Sequence, residues 1–197
     1  FYGTTMNGGE AGNSTIFRIS PTGSFNQVAG FPGNVAPETT LVEGPDGNFY
    51  GTSESGGIHD AGTIFKVTPE GTITTLFEFG SLREEAFGPY TLMQNLDGSF
   101  YGTTALGGEA GQGSVFQLTP AGTFTELVSF DGLNAPQQGI YPSATLTRGA
   151  DGNLFGTTQY GGTGNHGTVF RVTPGGTLST LIEFTGNGGA NVGSTPN

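Results

Sequence analysis

The chain has 197 residues, no cysteine, and 16 acidic against 5 basic side chains, a formal charge of −11. That field repels phosphate backbones and anionic headgroups, which argues against nucleic acid and membrane surfaces as partners. Without thiols there is no disulfide, no thiolate nucleophile and no Cys-ligated metal.

Glycine supplies 38 residues and proline 11. Without periodicity that share would indicate disorder, but here the glycines recur in register. The chain opens on Phe1-Tyr2-Gly3-Thr4-Thr5, which returns as Phe49 to Ser53, Phe100 to Thr104 and Leu154 to Thr158, at offsets of 48, 51 and 54 residues. Such a period marks an array of equivalent units, each too small to bury its own apolar face. The units run approximately 1–36, 37–88, 89–141 and 142–197, as a single repeat array. Opening inside a repeat motif is the expectation for a processed or excised segment. No run approaches the roughly 18 apolar residues of a membrane span.

The second unit displays the predicted elements most clearly. A β-prone run, Glu38 to Glu43, ends at Gly44, and the turn Pro45-Asp46-Gly47-Asn48 leads into a second strand, Phe49 to Ser53. A glycine-rich loop, 56–62, precedes a third strand, Thr63 to Thr68, and Pro69-Glu70-Gly71 turns into a fourth, Thr72 to Phe79. Runs of this length between turn residues predict a four-stranded antiparallel meander. Pro at 21, 69, 120 and 174 presets the turn, and Gly at 23, 71, 122 and 176 supplies its permissive dihedral. Asp46, Asp97 and Asp151, each before Gly, read as turn formers and not as calcium ligands, because no D-x-D-x-D-G loop is present. No segment keeps a 3.6-residue period, so helix is expected to be nearly absent.

The third strand carries adjacent apolar pairs in every unit, Ile16-Phe17, Ile64-Phe65, Val115-Phe116 and Val169-Phe170, which places apolar residues on both faces of the sheet. A sheet stacked between two others requires this. The expected fold is therefore all-β, a β-propeller of four units of about 50 residues, with a linear β-solenoid as the rival. Pro37, Pro89, Pro142 and Pro196 each precede a first strand, so the chain holds four copies of three strands but only three copies of the first. A window from a longer protein, a four-bladed ring with one incomplete blade, or a strand donated by a neighbouring chain would each explain the deficit.

The series Asp-Gly-Asn, an aromatic pair, Gly-Thr-Thr, Gly-Gly, and Gly-Thr-Val/Ile-Phe-Arg/Lys-Val-Thr-Pro resembles the GloVer tandem repeat of exported bacterial proteins over essentially the whole chain. More loosely it resembles NHL-type and streptogramin-lyase-type propellers, by analogy with which the absent strand is an innermost one. The resemblance implies an extracellular or cell-surface location and brings no catalytic residues.

Candidate site residues come from positions that break the repeat. The loops after the second strands differ in Glu10, His59, Asp60, Glu109 and His166, which in a propeller would ring one face and form a metal or sugar site; the same residues also read as plain solvent-exposed turns. Tyr90, Tyr141, Tyr160 and Phe87 are loop aromatics suited to sugar stacking or protein contact, and equally to loop packing. Asn13-Ser14-Thr15 is the only N-glycosylation sequon. Neither a metal nor a cofactor is expected, since two histidines more than a hundred residues apart are no zinc spacing. The leading expectation is a non-enzymatic extracellular scaffold or binding module for protein or carbohydrate. The alternatives are a self-assembling fibre subunit completed by a neighbouring strand, giving a homo-oligomer or filament, and a propeller lyase or glycan hydrolase with its site at the channel mouth.

Overall fold

The structure is a computed structural model and describes residues 1–9, 12–33, 35–37, 41–80, 87–132 and 139–196. Every regular element in them is a strand. The first unit contributes β1 (Tyr2–Thr5), β2 (Thr15–Ile19) and β3 (Phe25–Gly30), and the second β4 (Ala36–Pro37), β5 (Val42–Glu43), β6 (Phe49–Ser55), β7 (Thr63–Val67) and β8 (Ile73–Glu78). The third contributes β9 (Phe87–Gln94), β10 (Phe100–Leu106), β11 (Ser114–Leu118) and β12 (Phe124–Ser129). The fourth has β13 (Gly139–Pro142), β14 (Thr147–Arg148), β15 (Leu154–Gly161), β16 (Thr168–Val172) and β17 (Leu178–Glu183). Each unit is one antiparallel meander, and the described residues of the first unit form a three-stranded sheet in the order β1, β2, β3. The first strands of units three and four are irregular. In unit four the strand comes as two short pieces on β15, and in unit three the ladder shifts register beside Pro89, while residues 38–40 of the strand expected over Glu38 to Glu43 lie outside the described residues. Proline has no N–H to give the ladder, so pairing breaks or bulges where it sits.

The repeated motif is explained by what crosses from the second strand to the third. Gly3, Gly51 and Gly156 lie opposite Phe17, Phe65 and Phe170, and a Cβ at these glycines would lie 2.7, 2.6 and 2.5 Å from the ring's Cζ. Only glycine lets the phenylalanine lie flat across the neighbouring strand. Two residues on, a hydroxyl pair spans the same strands in every unit: Thr5–Thr15, Ser53–Thr63 and Thr158–Thr168 at 2.8 Å, and Thr104–Ser114 at 2.9 Å. These groups are largely buried, so each satisfies the other where water does not reach.

The core lies between units. One cluster joins units one and two around Ile16, Phe31, Phe65 and Val67; a second joins two and three around Tyr50, Ile64, Phe79 and Phe116; a third joins three and four around Val115, Phe130, Phe170 and Val172. Each junction repeats one edge-to-face ring contact, Phe31–Phe65 at 4.9 Å, Phe79–Phe116 at 6.1 Å and Phe130–Phe170 at 5.1 Å. Alternate residues of the third strand thus serve opposite neighbours, Ile64 facing unit three and Phe65 facing unit one. Among the described residues no core cluster joins unit four to unit one, so the four units form an open row, not a closed four-bladed ring.

All four outer hairpins carry a bulge at the same place, where the ladder skips Val28, Leu76, Leu127 and Leu181. A bulge turns the extra residue out of the ladder and sharpens the local twist. The loops between second and third strands also dock on the following unit. A Cβ at Gly62 or Gly113 would lie 2.8 or 2.6 Å from Cδ of Pro89 or Pro142, and within unit four a Cβ at Gly167 would lie 2.8 Å from Cδ of Pro196, all with φ between 94 and 97°. Gly111, with φ 73°, has open space where its Cβ would be. Gly111→Ala should therefore cost about 1–2 kcal/mol, the strain of the left-handed conformation alone. Gly113→Ala adds clashes with the Thr104 carbonyl oxygen and with Pro142 and should cost about 3–4 kcal/mol. Denaturant unfolding of the two variants measures the difference.

Candidate functional site

The loops that carry the sequence's candidate residues follow one backbone plan. Their fifth position is left-handed in every unit, Gly12 (φ 80°), Asp60 (52°), Gly111 (73°) and Asn165 (53°). Glycine, Asn and Asp are the residues that enter this region most readily. Asp60 and Asn165 also use their side chains to hold the loop, each Oδ1 accepting from the N–H of Gly56 or Gly161 at 2.9 Å. A strand carboxylate closes the same two loops. Glu78 Oε2 accepts from the Ile58 N–H at 3.1 Å, and Glu183 Oε2 accepts from the N–H of Thr163 at 2.6 Å and from its hydroxyl. Units one and three have Gly30 and Ser129 at that strand position, and carry their Glu in the loop instead. The array therefore alternates between two loop designs.

The predicted residues divide accordingly. Asp60 is a loop cap, exposed, and His59 beside it is exposed. Glu109 is exposed at the edge of a groove described below. His166 is half-buried; its ring lies where a Cβ on Gly186 would fall, and its carbonyl accepts from the Thr195 N–H at 3.0 Å. Glu10 lies outside the described residues. No three His, Asp or Glu side chains converge as a metal site among the described residues. Tyr141 and Tyr160 do come together, ring centroids 6.0 Å apart and edge to face, whereas Tyr90 sits in β9 with its carbonyl 3.5 Å from Thr52 Oγ1. Asn13 of the sequon is half-exposed, with Thr15 buried against Thr5. The segment holding Phe87 is described only from that residue on, and its side chain lies outside the description.

Two grooves open between outer strands, at the first and third junctions. The first, of about 520 Å³, lies between Ala29, Phe31 and Val35 on one side and Ile58, Ile73 and Glu78 on the other. The second, of about 670 Å³, is the same place one pair of units along, between Glu109, Val128 and Asp131 on one side and Gly176 and Leu178 on the other. Facing residues explain them. At the second junction Phe77 stacks on Phe124 at 4.0 Å and 10°, where the first junction has Ala29 opposite Ile73 and the third Val128 opposite Leu178. Two rings fill the space that smaller pairs leave open. Sequence reasoning passed over Glu78, Ile73, Asp131 and Leu178 because it sought sites in loops. The signal was the substitution pattern Ala29, Phe77, Val128, Ile182 along aligned outer strands.

Stacked four-stranded meanders joined face to face define a propeller-type repeat protein. The chain belongs to the Gloeobacter/Verrucomicrobia repeat family, whose sequence profile matches residues 1–196. No curated protein matches it. Among solved structures it is similar to a protein of unknown function from Bacteroides thetaiotaomicron (TM-score 0.56, 14% identity, 86% of this chain and 42% of that one). It is also similar to a puromycin-hydrolysing peptidase of Mycobacterium tuberculosis (0.55, 16%, 94% and 25%) and to PorZ of Porphyromonas gingivalis, a bacterial surface component of the type-IX secretion system (0.51, 17%, 89% and 26%). The chain thus spans less than half the length of these structures, and the likeness is one of fold.

The turn before the second strand of unit two is tied to a buried tyrosine of that strand. Asp46 accepts from the Asn48 N–H at 3.2 Å, from Asn48 Nδ2 at 2.6 Å and from the Tyr50 hydroxyl at 3.0 Å. Slight burial works against its charge, but these donors outweigh it and hold the carboxyl below its ordinary range. Tyr50 is pushed up to about 12, by burial first and then by its bond to the Asp46 carboxylate. The folded chain therefore keeps this proton after the unfolded chain has lost it at the ordinary 10.0, so stability present below pH 10.0 is lost as pH rises toward 12. Tyr50→Phe should flatten that part of the alkaline stability curve. A stability profile unchanged in Tyr50→Phe, or a Tyr50 that ionises with the exposed tyrosines, would contradict the assignment.

Proposed function

We propose that the chain acts as a non-enzymatic protein-binding module of an exported bacterial protein, with the two grooves as its contact surface. The observation that carries this reading is the division of labour among polar groups. Asp60 and Asn165 hold their own loop backbone, whereas the first groove is walled by Ala29, Val35, Ile58 and Ile73 beside the loop-bonded Glu78, and the second, the more polar of the two, has Glu109 and Asp131 in its lining. An apolar cleft edged by acid, on a chain of formal charge −11, suits a peptide segment that sets an apolar side chain beside Lys or Arg. The family resemblance supports the exported, extracellular setting, in which such a module would display its grooves from a rigid row of units.

A displayed random-peptide library supplies the test. Selection on the wild-type chain should enrich peptides that pair apolar with basic residues. Ala29→Phe and Val128→Phe, which copy the filled second junction, should together reduce binding of those peptides at least tenfold, about 1.4 kcal/mol. Enrichment of no such peptides, or binding indifferent to both substitutions, would refute the reading.

A further inference from the structure

The tyrosines of the chain fall into two kinds. Tyr50 and Tyr101 are buried in second strands with their hydroxyls engaged, Tyr50 donating to Asp46 at 3.0 Å and Tyr101 accepting from Gln117 Nε2 at 2.9 Å. Tyr141 of β13 and Tyr160 of β15 are the other kind. Tyr160 is 38% exposed, Tyr141 is half-buried, and neither hydroxyl makes a hydrogen bond among the described residues. The pair sits where unit three meets unit four: the Tyr141 N–H donates to the Gln112 carbonyl of unit three at 3.1 Å, and Tyr160 shares the strand face of Leu154, which packs into the core between those units. The ring centroids are 6.0 Å apart and the planes cross at 74°, so the rings form a corner with one as floor and the other as wall.

Both residues depart from the repeat, and one does so at a cost. Gly88-Pro89 and Tyr141-Pro142 enter units three and four by one device: the residue before proline has positive φ, 62° and 55°, and its N–H donates to the preceding loop. Glycine takes that conformation freely, whereas a bulky residue is strained in it. The turn imposes the conformation, also on Thr195 before Pro196; the ring is what Tyr141 adds. Tyr160 in turn stands where the aligned strand ends have Asn7, Ser55 and Leu106. Neither ring belongs to a core cluster among the described residues, so core burial does not offset the strain. Strain retained at a surface in this way points to a role for the side chain.

We propose that the corner is a carbohydrate subsite for a neutral pyranose of gluco configuration in a β-1,4-linked chain. Such a sugar carries its hydroxyls equatorially and its C–H bonds axially, and this linkage makes a flat ribbon whose ring faces stay open. One apolar face lies on the floor ring, whose π cloud attracts the C–H groups, and the equatorial hydroxyls meet the two phenol hydroxyls, which both donate and accept. A purely apolar partner would leave those hydroxyls unpaired on burial; a sugar pairs them. The formal charge of −11 disfavours uronic and sulfated sugars. Neither tyrosine lines a groove, so the subsite goes beyond the proposed peptide binding and each stands without the other.

Saturation-transfer difference NMR of the chain with cellohexaose and with chitohexaose tests this, with a galacturonic acid hexamer as the anionic comparison. At least one neutral oligosaccharide should receive saturation through its ring C–H protons, and the galacturonate should receive none. Tyr160→Ser and Tyr141→Gly copy the aligned Ser55 and Gly88; each should weaken binding roughly tenfold or more, with the circular dichroism of the fold unchanged. Tyr160→Phe, which keeps the ring face, should weaken it less than Tyr160→Ser. If Tyr141→Gly unfolds the chain, the two Tyr160 variants decide. Failure of the wild type to bind either neutral oligosaccharide would overturn the proposal. So would galacturonate binding as strong as theirs, a Tyr160→Ser variant that binds like the wild type, or sugar binding abolished by Ala29→Phe and Val128→Phe, which would place it in the grooves.

Discussion

Everything in this fold depends on the contact in which the last ring of one unit's outer strand meets the third-strand ring of the next at its edge. A meander of three to five short strands buries little by itself, and here both its faces are apolar. Phe65 is covered because unit one lies over it, and Ile64 because unit three lies over the other face. The repeat glycine of the second strand lets the third-strand ring lie flat, and the flat ring is what the neighbour's phenylalanine packs on. The bulge brings the outer strand's carbonyl down to the next hairpin's glycine in the same movement. Sequence motif, sheet irregularity and unit stacking are thus parts of one contact, made three times.

A scaffold this uniform acquires individuality only where it departs from its repeat. The departures alternate. Even-numbered units clamp their loops with a strand glutamate, and odd-numbered units leave that position small. The outer-strand pair then decides whether a junction is filled, as by Phe77 and Phe124, or left as a groove, as beside Ala29 and Val128. Binding surface in such a molecule arises from side chains withheld from a junction, not from side chains added to a loop.

The sequence made strands and turns legible, because each rests on short-range chemistry repeated in register: Asp-Gly and Pro-x-Gly turns, adjacent apolar residues, and prolines ahead of the first strands. The bulges were not legible, since Val28, Leu76, Leu127 and Leu181 look like any strand residue and the skip depends on docking against another unit. Asp60 drew attention as a ligand because it broke the repeat. It breaks the repeat to satisfy a left-handed backbone that glycine satisfies in units one and three. Glu78 and Glu183 escaped notice for the converse reason: a glutamate in an outer strand reads as a solvated face until its loop partner is seen. The grooves require comparing residues that face each other across a junction, information held in the stacking and not in any one unit.

The central claim is that cross-unit ring contacts, beyond the apolar area they bury, couple the units. A double-mutant cycle on Phe130 and Phe170, each changed to Leu and both together, measures this in urea unfolding. The two rings are fully buried, 5.1 Å apart and edge to face, and belong to different units. The account predicts a coupling of about 1 kcal/mol. Strictly additive losses would mean that the units are stacked by burial alone, and that the repeated ring geometry is a consequence of the fold and not its cause.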